Sequence, residues 1–546
     1  MAWARGPGGR PRPATWAYGG AQQFPCRAAA PVCFSAGPPR RHSAALPRLR
    51  RPLPGRCRGT VRARGLLPAL GRRDGAALIH PAGGLMNIAI IGTGYVGLVT
   101  GACFAQAGID VTCLDKDLRK IEMLRQGRVP FHEPGLEALI AAGRASGRLA
   151  FQSTLEPDLS LERAEAIFLA VGTPTGPDGR AALTDLLDCA ALLARTLTHG
   201  TLVVVKSTVP VGTCERIRTL LETESLEAQS AVVPRPRFTV ASNPEFLAEG
   251  RAVEDFLHPG RIVIGCDDPA ACRLLRRLYA PFDPDGSRTL TMDVRSAEYA
   301  KYACNAALAA RISMVNELAC IAGPLGVDMH AVCKVLKTDP RIGPHYLRPG
   351  AGYGGSCLPK DLRALIAMAQ DHGEPAYMLH SVETVNTGQC ERLLDTLLAC
   401  LAYDFKGRCV ALWGLAFKAG TDDLREAPSL ALARSLLEAG ARVRAYDPVA
   451  GRSAEALIPD SMFELCPDPY LACEDADVLV VMTEWEEFRE ADFAQVAEKL
   501  NLATVFDCRQ LYDAALLERH GLRHLEIGQR PASISQPLTD ALQNAV

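Results

Sequence analysis

The first 85 of the chain's 546 residues contain no lysine and only one acidic residue, Asp74. They do contain 15 arginines, together with 13 glycines and 12 prolines that make up more than a quarter of the segment. Such a composition has no helical or strand periodicity and cannot bury a core of its own. It also excludes the long amphipathic helix that an organelle transit peptide needs. A basic arm for nucleic acid or anionic lipid is one remaining reading. The simpler expectation is that translation starts at Met86, directly before the first well-formed strand pattern.

A Cys-x-x-Cys pair is absent as well, although the chain has 19 cysteines. They are scattered, and Cys103, Cys113, Cys304 and Cys320 lie in apolar runs, where cysteine behaves as a small hydrophobe. This argues against a disulfide framework and for a reducing, cytoplasmic setting. Residues 75–109 lack Asp, Glu, Lys and Arg altogether, a run long enough to span a bilayer. Glycines 83, 84, 92, 94, 97 and 101 break it into loop, strand, turn and helix, so no membrane span is expected. No short-period repeat is present.

The whole chain carries −1, but the part beyond residue 85 has 45 basic against 60 acidic side chains. An acidic body excludes a broad basic face for nucleic acid. Its length calls for two or three domains. Short apolar runs alternate with amphipathic stretches, the pattern of an α/β fold with parallel sheets. "NIAII", "VTCLD", "AIFLAV" and "TLVVV" are continuously apolar, as strands covered on both faces are. From Ser296 to Gly323 no residue breaks a helix, which predicts a long one. The strand–helix alternation resumes with "RCVALW", "RVRAY", "VLVVM" and "TVFDC". The expected architecture is two Rossmann-like, doubly wound parallel-sheet domains joined by a long central helix and a helical middle region. The expected boundaries are 1–85 (extension), 86–290 (dinucleotide domain), 291–404 (central helix and cysteine loop), 405–535 (second nucleotide domain) and 536–546 (tail).

Gly92-Thr93-Gly94-Tyr95-Val96-Gly97 fits G-x-G-x-x-G, follows a strand and opens a helix. Its glycines permit a tight turn and close approach of a pyrophosphate to the helix N-terminus. Asp115, at the end of the second strand, is placed to bind ribose hydroxyls and to repel a 2′-phosphate, which favours NAD over NADP. Asp117 competes for this role but lies beyond the strand end. No metal site is expected.

These residues, with "VGTPT", "VVKSTVPVGT", "SNPEFLAEG", "AEYAKYACNA", "DPRIGPHYLRPGAGYGGSCLPKD" and "GLAFKAGTDDLREAPS" in that order, resemble the UDP-glucose/GDP-mannose dehydrogenase family. The resemblance covers essentially all of 86–530. It implies oxidation of a sugar-nucleotide C6 alcohol to a carboxylate with two NAD, through a covalent cysteine, in a homodimer built on the central helix. "DPRIGPHYLRPGAGYGG" favours the UDP-glucose branch, whereas Leu358 stands where that branch more often has Phe. Cys508 and Gln510 replace a usual Gly and Asn. GDP-mannose and UDP-N-acetylhexosamines are the alternative substrates, and an inactive NAD-sensing scaffold is the alternative outside enzymes.

Two successive oxidations require the intermediate aldehyde to be held in a form that can still give a hydride. A thiolate achieves this by adding to the aldehyde. Cys357 is the candidate, with Lys360 expected to favour its thiolate. Lys301 and Asn305, one helical turn apart, would hold the oxyanion. By resemblance, Glu245 is the acid/base of thioester hydrolysis and Glu249 lies towards the cofactor. Asp361 and Thr208 hold the water or hydroxyl of the first proton transfer; Asp361 is also a candidate helix cap. The resemblance adds Lys120, Thr173, Lys360 and Arg425 to the cofactor set. It adds Phe246, Leu247, Arg341, Tyr346, Arg348, Tyr353, Gly354, Phe417, Lys418 and Arg509 to the substrate set, with Arg341 reaching in from the partner subunit.

Overall fold

The computed structural model describes residues 86–154, 160–228 and 237–528. The expectations for 1–85 and 536–546 lie outside these residues. Eight strands form the first sheet: β1 (Asn87–Ile91), β2 (Asp110–Asp115), β3 (Leu149–Ser153), β4 (Ala166–Leu169), β5 (Leu202–Val205), β6 (Thr239–Ser242), β7 (Ile262–Gly265) and β8 (Thr289–Met292). Their order is β3-β2-β1-β4-β5-β6-β7-β8, parallel throughout except where Ser242 of β6 pairs antiparallel with Gly265 of β7. The chain reverses its winding between β1 and β4, the crevice where doubly wound sheets bind ligands. Strands β1, β4 and β5 are buried almost entirely along both faces, which explains their unbroken apolar sequences.

The second sheet comprises β9 (Cys409–Trp413), β10 (Arg442–Tyr446), β11 (Phe463–Leu465), β12 (Val478–Val481), β13 (Thr504–Asp507) and β14 (Arg523–Glu526). Its order, β11-β10-β9-β12-β13-β14, repeats that of the first six strands of the first sheet. All its pairings are parallel.

Between the sheets runs one helix, Val294–Ala322, of 29 residues, capped by Asp293, which accepts from the Ser296 amide at 2.9 Å. At about 1.5 Å per residue it is roughly 43 Å long. Among the described residues it belongs to the one segment, Val294–Leu325, that is long and apolar enough to cross a membrane. Its buried Glu298, Lys301, Asn305 and Asn316 are instead the contacts of a core helix. In the part of the uncharged run from Met86 on, β1 is followed by a helix of only 12 residues, Tyr95–Gln106.

Candidate active site

The Gly-rich turn is built as its sequence demands. Gly92 has φ +105°, and a Cβ there would lie 2.6 Å from the Ala170 carbonyl oxygen. A Cβ on Gly97 would strike the Gly92 carbonyl oxygen, whereas Gly94, at the helix N-terminus, faces open space. The turn therefore fits a dinucleotide pyrophosphate. Asp115 Oδ2 accepts from the Thr93 amide and hydroxyl at 2.8 and 2.7 Å, and Oδ1 accepts from the Asp117 amide. Burial pushes this carboxyl up, but these hydrogen bonds and nearby Lys120 hold it below the usual range. Asp117 instead caps the helix Leu118–Arg125 through the amides of Arg119 and Lys120. The Thr173 hydroxyl donates to the Thr208 carbonyl at 2.9 Å. Tyr95 reaches out of the turn to accept from the Gly250 amide at 2.6 Å, which ties the turn to the Glu249 loop.

That loop borders a cavity of about 510 Å³. The sequence candidates Phe246, Leu247, Glu249, Lys301, Asn305, Tyr346, Arg348, Tyr353, Gly354, Cys357, Phe417, Lys418 and Arg509 all line it. Cys357 enters on a glycine loop tied down from several sides. Asn316 and Gln389 hold the Gly350 amide and carbonyl, Asn386 pairs with the Tyr353 backbone, and the Gly355 amide donates to the Arg425 carbonyl. The loop ends at the helix Leu358–Asp371, with Cys357 at the N-cap position. Gly354 and Gly355 have no room for a side chain, since a Cβ would meet the Glu426 carbonyl oxygen at 2.2 Å and the Phe417 ring at 2.7 Å.

Lys301 Nζ lies 3.0 Å from Glu245 Oε1, with both side chains buried. Burial opposes the charge on each, but the pairing wins, so Glu245 is lowered and Lys301 raised. Asn305 Nδ2 donates to Asp361 Oδ2 at 2.6 Å, and Lys360 donates to Oδ1 of the same carboxylate. Burial, then Glu245, push the Cys357 thiol up to about 11, against the pull of Lys301.

This geometry corrects two expectations, the cation beside Cys357 and the cap of its helix, and locates the remaining candidates. The cation acting on Cys357 is Lys301 rather than Lys360, because Lys360 is spent on Asp361. Asp361 does not cap its helix; it lies inside the first turn and binds side chains. Neither Thr208 nor Asp361 lines the cavity itself. Glu249 accepts from the Ser356 hydroxyl at 2.8 Å and lies 3.5 Å from Arg425. Arg341 is 88% exposed, paired with Asp339, and outside the cavity of its own chain.

Residues not singled out from sequence also belong to the site. Lys206, at the end of β5, donates to Asn243 Oδ1 and to the Tyr279 hydroxyl at 3.3 and 3.2 Å. Burial lowers it from 10.5 to about 8, with Glu245 pulling it back up and Lys301 pushing it further down. A lysine prolonging the wholly apolar "TLVVV" was the signal that could have found it. Ser356 and Asp423 left no such mark.

Cations for an anionic substrate surround the cavity mouth. Lys418 is lowered by burial, with Glu249 and Glu484 opposing. Arg509 donates to the carbonyls of Met482 and Phe417 at 2.6 and 2.9 Å, so its guanidinium is fixed before any ligand arrives. Arg261 stacks 4.0 Å over the Phe246 ring.

Three family models match in succession. They are the NAD binding domain (residues 86–283), central domain (295–388) and UDP binding domain (411–514) of the UDP-glucose/GDP-mannose dehydrogenase family. The chain is 45% identical over 448 residues to a UDP-glucose 6-dehydrogenase of Pseudomonas aeruginosa, covering 81% of this chain and 98% of the relative. It is 41% identical over 445 residues to the UDP-glucose 6-dehydrogenase YwqF of Bacillus subtilis, covering 82% and 98%. Among solved structures, it is similar to a UDP-glucose dehydrogenase of Pyrobaculum islandicum, with a TM-score of 0.75 and 35% identity over 83% of this chain and 100% of the other.

Proposed function

The chain belongs to the UDP-glucose/GDP-mannose dehydrogenase family, and we propose that it oxidises the C6 alcohol of UDP-glucose to the carboxylate through a covalent intermediate on Cys357. The observation that carries this reading is Cys357 in one cavity with Lys301, which is itself paired with the buried Glu245, beside a dinucleotide turn. NAD accepts the hydride of each oxidation when bound. Lys418, Arg348 and Arg509 bind the pyrophosphate of the sugar nucleotide. Lys301 and Asn305 stabilise the oxyanion that forms when sulfur adds to the aldehyde, in a site where fixed charges act with little screening. Glu245, held ionised by Lys301, takes the proton from the water that hydrolyses the thioester.

The reading includes a homodimer. Tyr299, Met314 and Ile321 are exposed on the central helix, near whole helical turns from one another, and a second copy would cover them and bring in Arg341. It also places the chain in the cytoplasm, where the sixteen free cysteines among the described residues stay reduced. Light scattering of the purified chain and cell fractionation test these two points.

The deciding experiment supplies the purified chain with UDP-glucose and counts NADH. Two NADH per UDP-glucose consumed, lost in Cys357→Ser while NAD still binds, is the expected result. A single NADH, or full turnover in Cys357→Ser, overturns the mechanism. Preference for GDP-mannose or a UDP-N-acetylhexosamine overturns the substrate.

A further inference from the structure

We propose that Ser356 is a proton relay between the Cys357 thiol and the Glu249 carboxylate, an inference that rests on the covalent role of Cys357 given above. The Ser356 hydroxyl donates to Glu249 Oε1 at 2.8 Å, and the same oxygen lies 3.4 Å from Cys357 Sγ. A serine hydroxyl has one proton to give and lone pairs to receive. With its proton committed to Glu249, Ser356 meets sulfur as an acceptor, so the S–H bond points along the path. The three groups thus form a directed line from sulfur to carboxylate.

The charged groups nearest sulfur are already engaged with other partners. Lys301 is an ammonium paired with Glu245, and it stabilises the thiolate without being able to take its proton. Asp361 touches Asn305 and Lys360. Burial pushes the thiol up to about 11, so at neutral pH sulfur needs a base in order to attack. Burial, then Asp423, push Glu249 up to about 7, where a carboxylate both accepts and returns a proton near working pH. The Asp423 carboxylate beside Glu249 favours its protonated form, so Glu249 is able to carry a proton.

The step balances without an oxidant. The S–H bond breaks and its proton passes to Ser356, while the serine proton passes to Glu249 Oε1. The sulfur electron pair forms the C–S bond, and the carbonyl π pair moves to oxygen as an alkoxide held by Lys301 and Asn305. Glu249 ends as the neutral acid, and the thiohemiacetal remains an alkoxide, the form that releases a hydride. During thioester hydrolysis the same line runs backwards and protonates the departing sulfur. The charged groups around sulfur are Glu245, Lys301, Asp361, Lys418 and Arg425; those around Glu249 are Asp423, Arg425 and Lys418.

The test is the rate of Cys357 alkylation by iodoacetamide in the full chain, followed by peptide mass spectrometry as a function of pH. In the unaltered chain the rate rises with ionisation of Glu249, near pH 7. Ser356→Ala should lower the neutral-pH rate by about tenfold or more and move the rise to the alkaline range of the thiol. Glu249→Gln keeps an oxygen for the serine to bond and should give the same loss, which serves as the second variant if Ser356→Ala does not fold. Ser356→Thr, retaining the hydroxyl, should restore the rise near pH 7. An unchanged profile in Ser356→Ala or in Glu249→Gln overturns the relay. Failure of the covalent reading is seen separately, as two NADH still formed by Cys357→Ser.

Discussion

Lys301 Nζ and Glu245 Oε1 meet at 3.0 Å with side-chain exposures of only 4% and 6%. At such a depth each charge is tolerable only because of the other. Replacing Lys301 by methionine should cost about 3–5 kcal/mol, the usual cost of leaving a buried charge without its partner. The sign of the pH dependence should also reverse. In the unaltered chain Glu245 is lowered, so its contribution to stability is present above its unfolded value and lost as pH falls through the folded one. Without Lys301 burial dominates and raises Glu245, so stability falls as pH rises. Urea unfolding at several pH values reads both effects.

Lys206 allows a second test by linkage. Its folded value of about 8 lies below the ordinary 10.5, so between the two the unfolded chain holds a proton that the folded chain has released. Stability should therefore rise with pH across that window. Lys206→Met should flatten the rise and lower kcat by about tenfold through the altered field at Glu245. Unfolding curves between those pH values check the first effect and initial rates the second.

Gly355 has φ +83°, and a Cβ there would lie 2.7 Å from the Phe417 ring. Gly355→Ala combines a strained backbone with a clash two residues before Cys357. It should destabilise the chain by about 1–3 kcal/mol and lower kcat more than it raises KM for the sugar nucleotide. A melting curve and steady-state kinetics on the same sample check it.

Asp115 organises the Gly-rich turn through Thr93, and its place at the end of the second strand is where an acid is expected to disfavour a 2′-phosphate. Asp115→Ala should raise KM for NAD by roughly tenfold or more, because each lost charge-assisted hydrogen bond weighs over 1 kcal/mol. The ratio of NADP to NAD use should increase at the same time. Initial rates with both cofactors give the answer.

Much of the fold could be read directly from the chain. Strands β1, β4, β5, β9 and β12 are short apolar runs because both of their faces are covered, and burial leaves an unbroken trace in sequence. Edge strands leave a weaker one. In β8, Leu290 is 48% exposed and the residues around it are mixed, so nothing in "TLTM" announces a strand. The short β11, three residues at the margin of its sheet, is silent for the same reason.

What the sequence determined by itself was the set of local geometries: the Gly92–Gly97 turn, the end of β2 at Asp115, the unbroken helix carrying Lys301 and Asn305, and Cys357 at a helix start. These follow from steric limits and spacing within a few turns of chain. Only the tertiary structure decided which charge meets which. Lys301 could have faced Asp361, and Lys360 could have faced Cys357. The crossing of the central helix with the cysteine helix and the Glu245 loop assigns Lys301 to Glu245 and Asn305 to Asp361. It also leaves Ser356 between sulfur and Glu249. Pairing across segments far apart in the chain depends on packing distances of a few ångströms, and no local pattern encodes those.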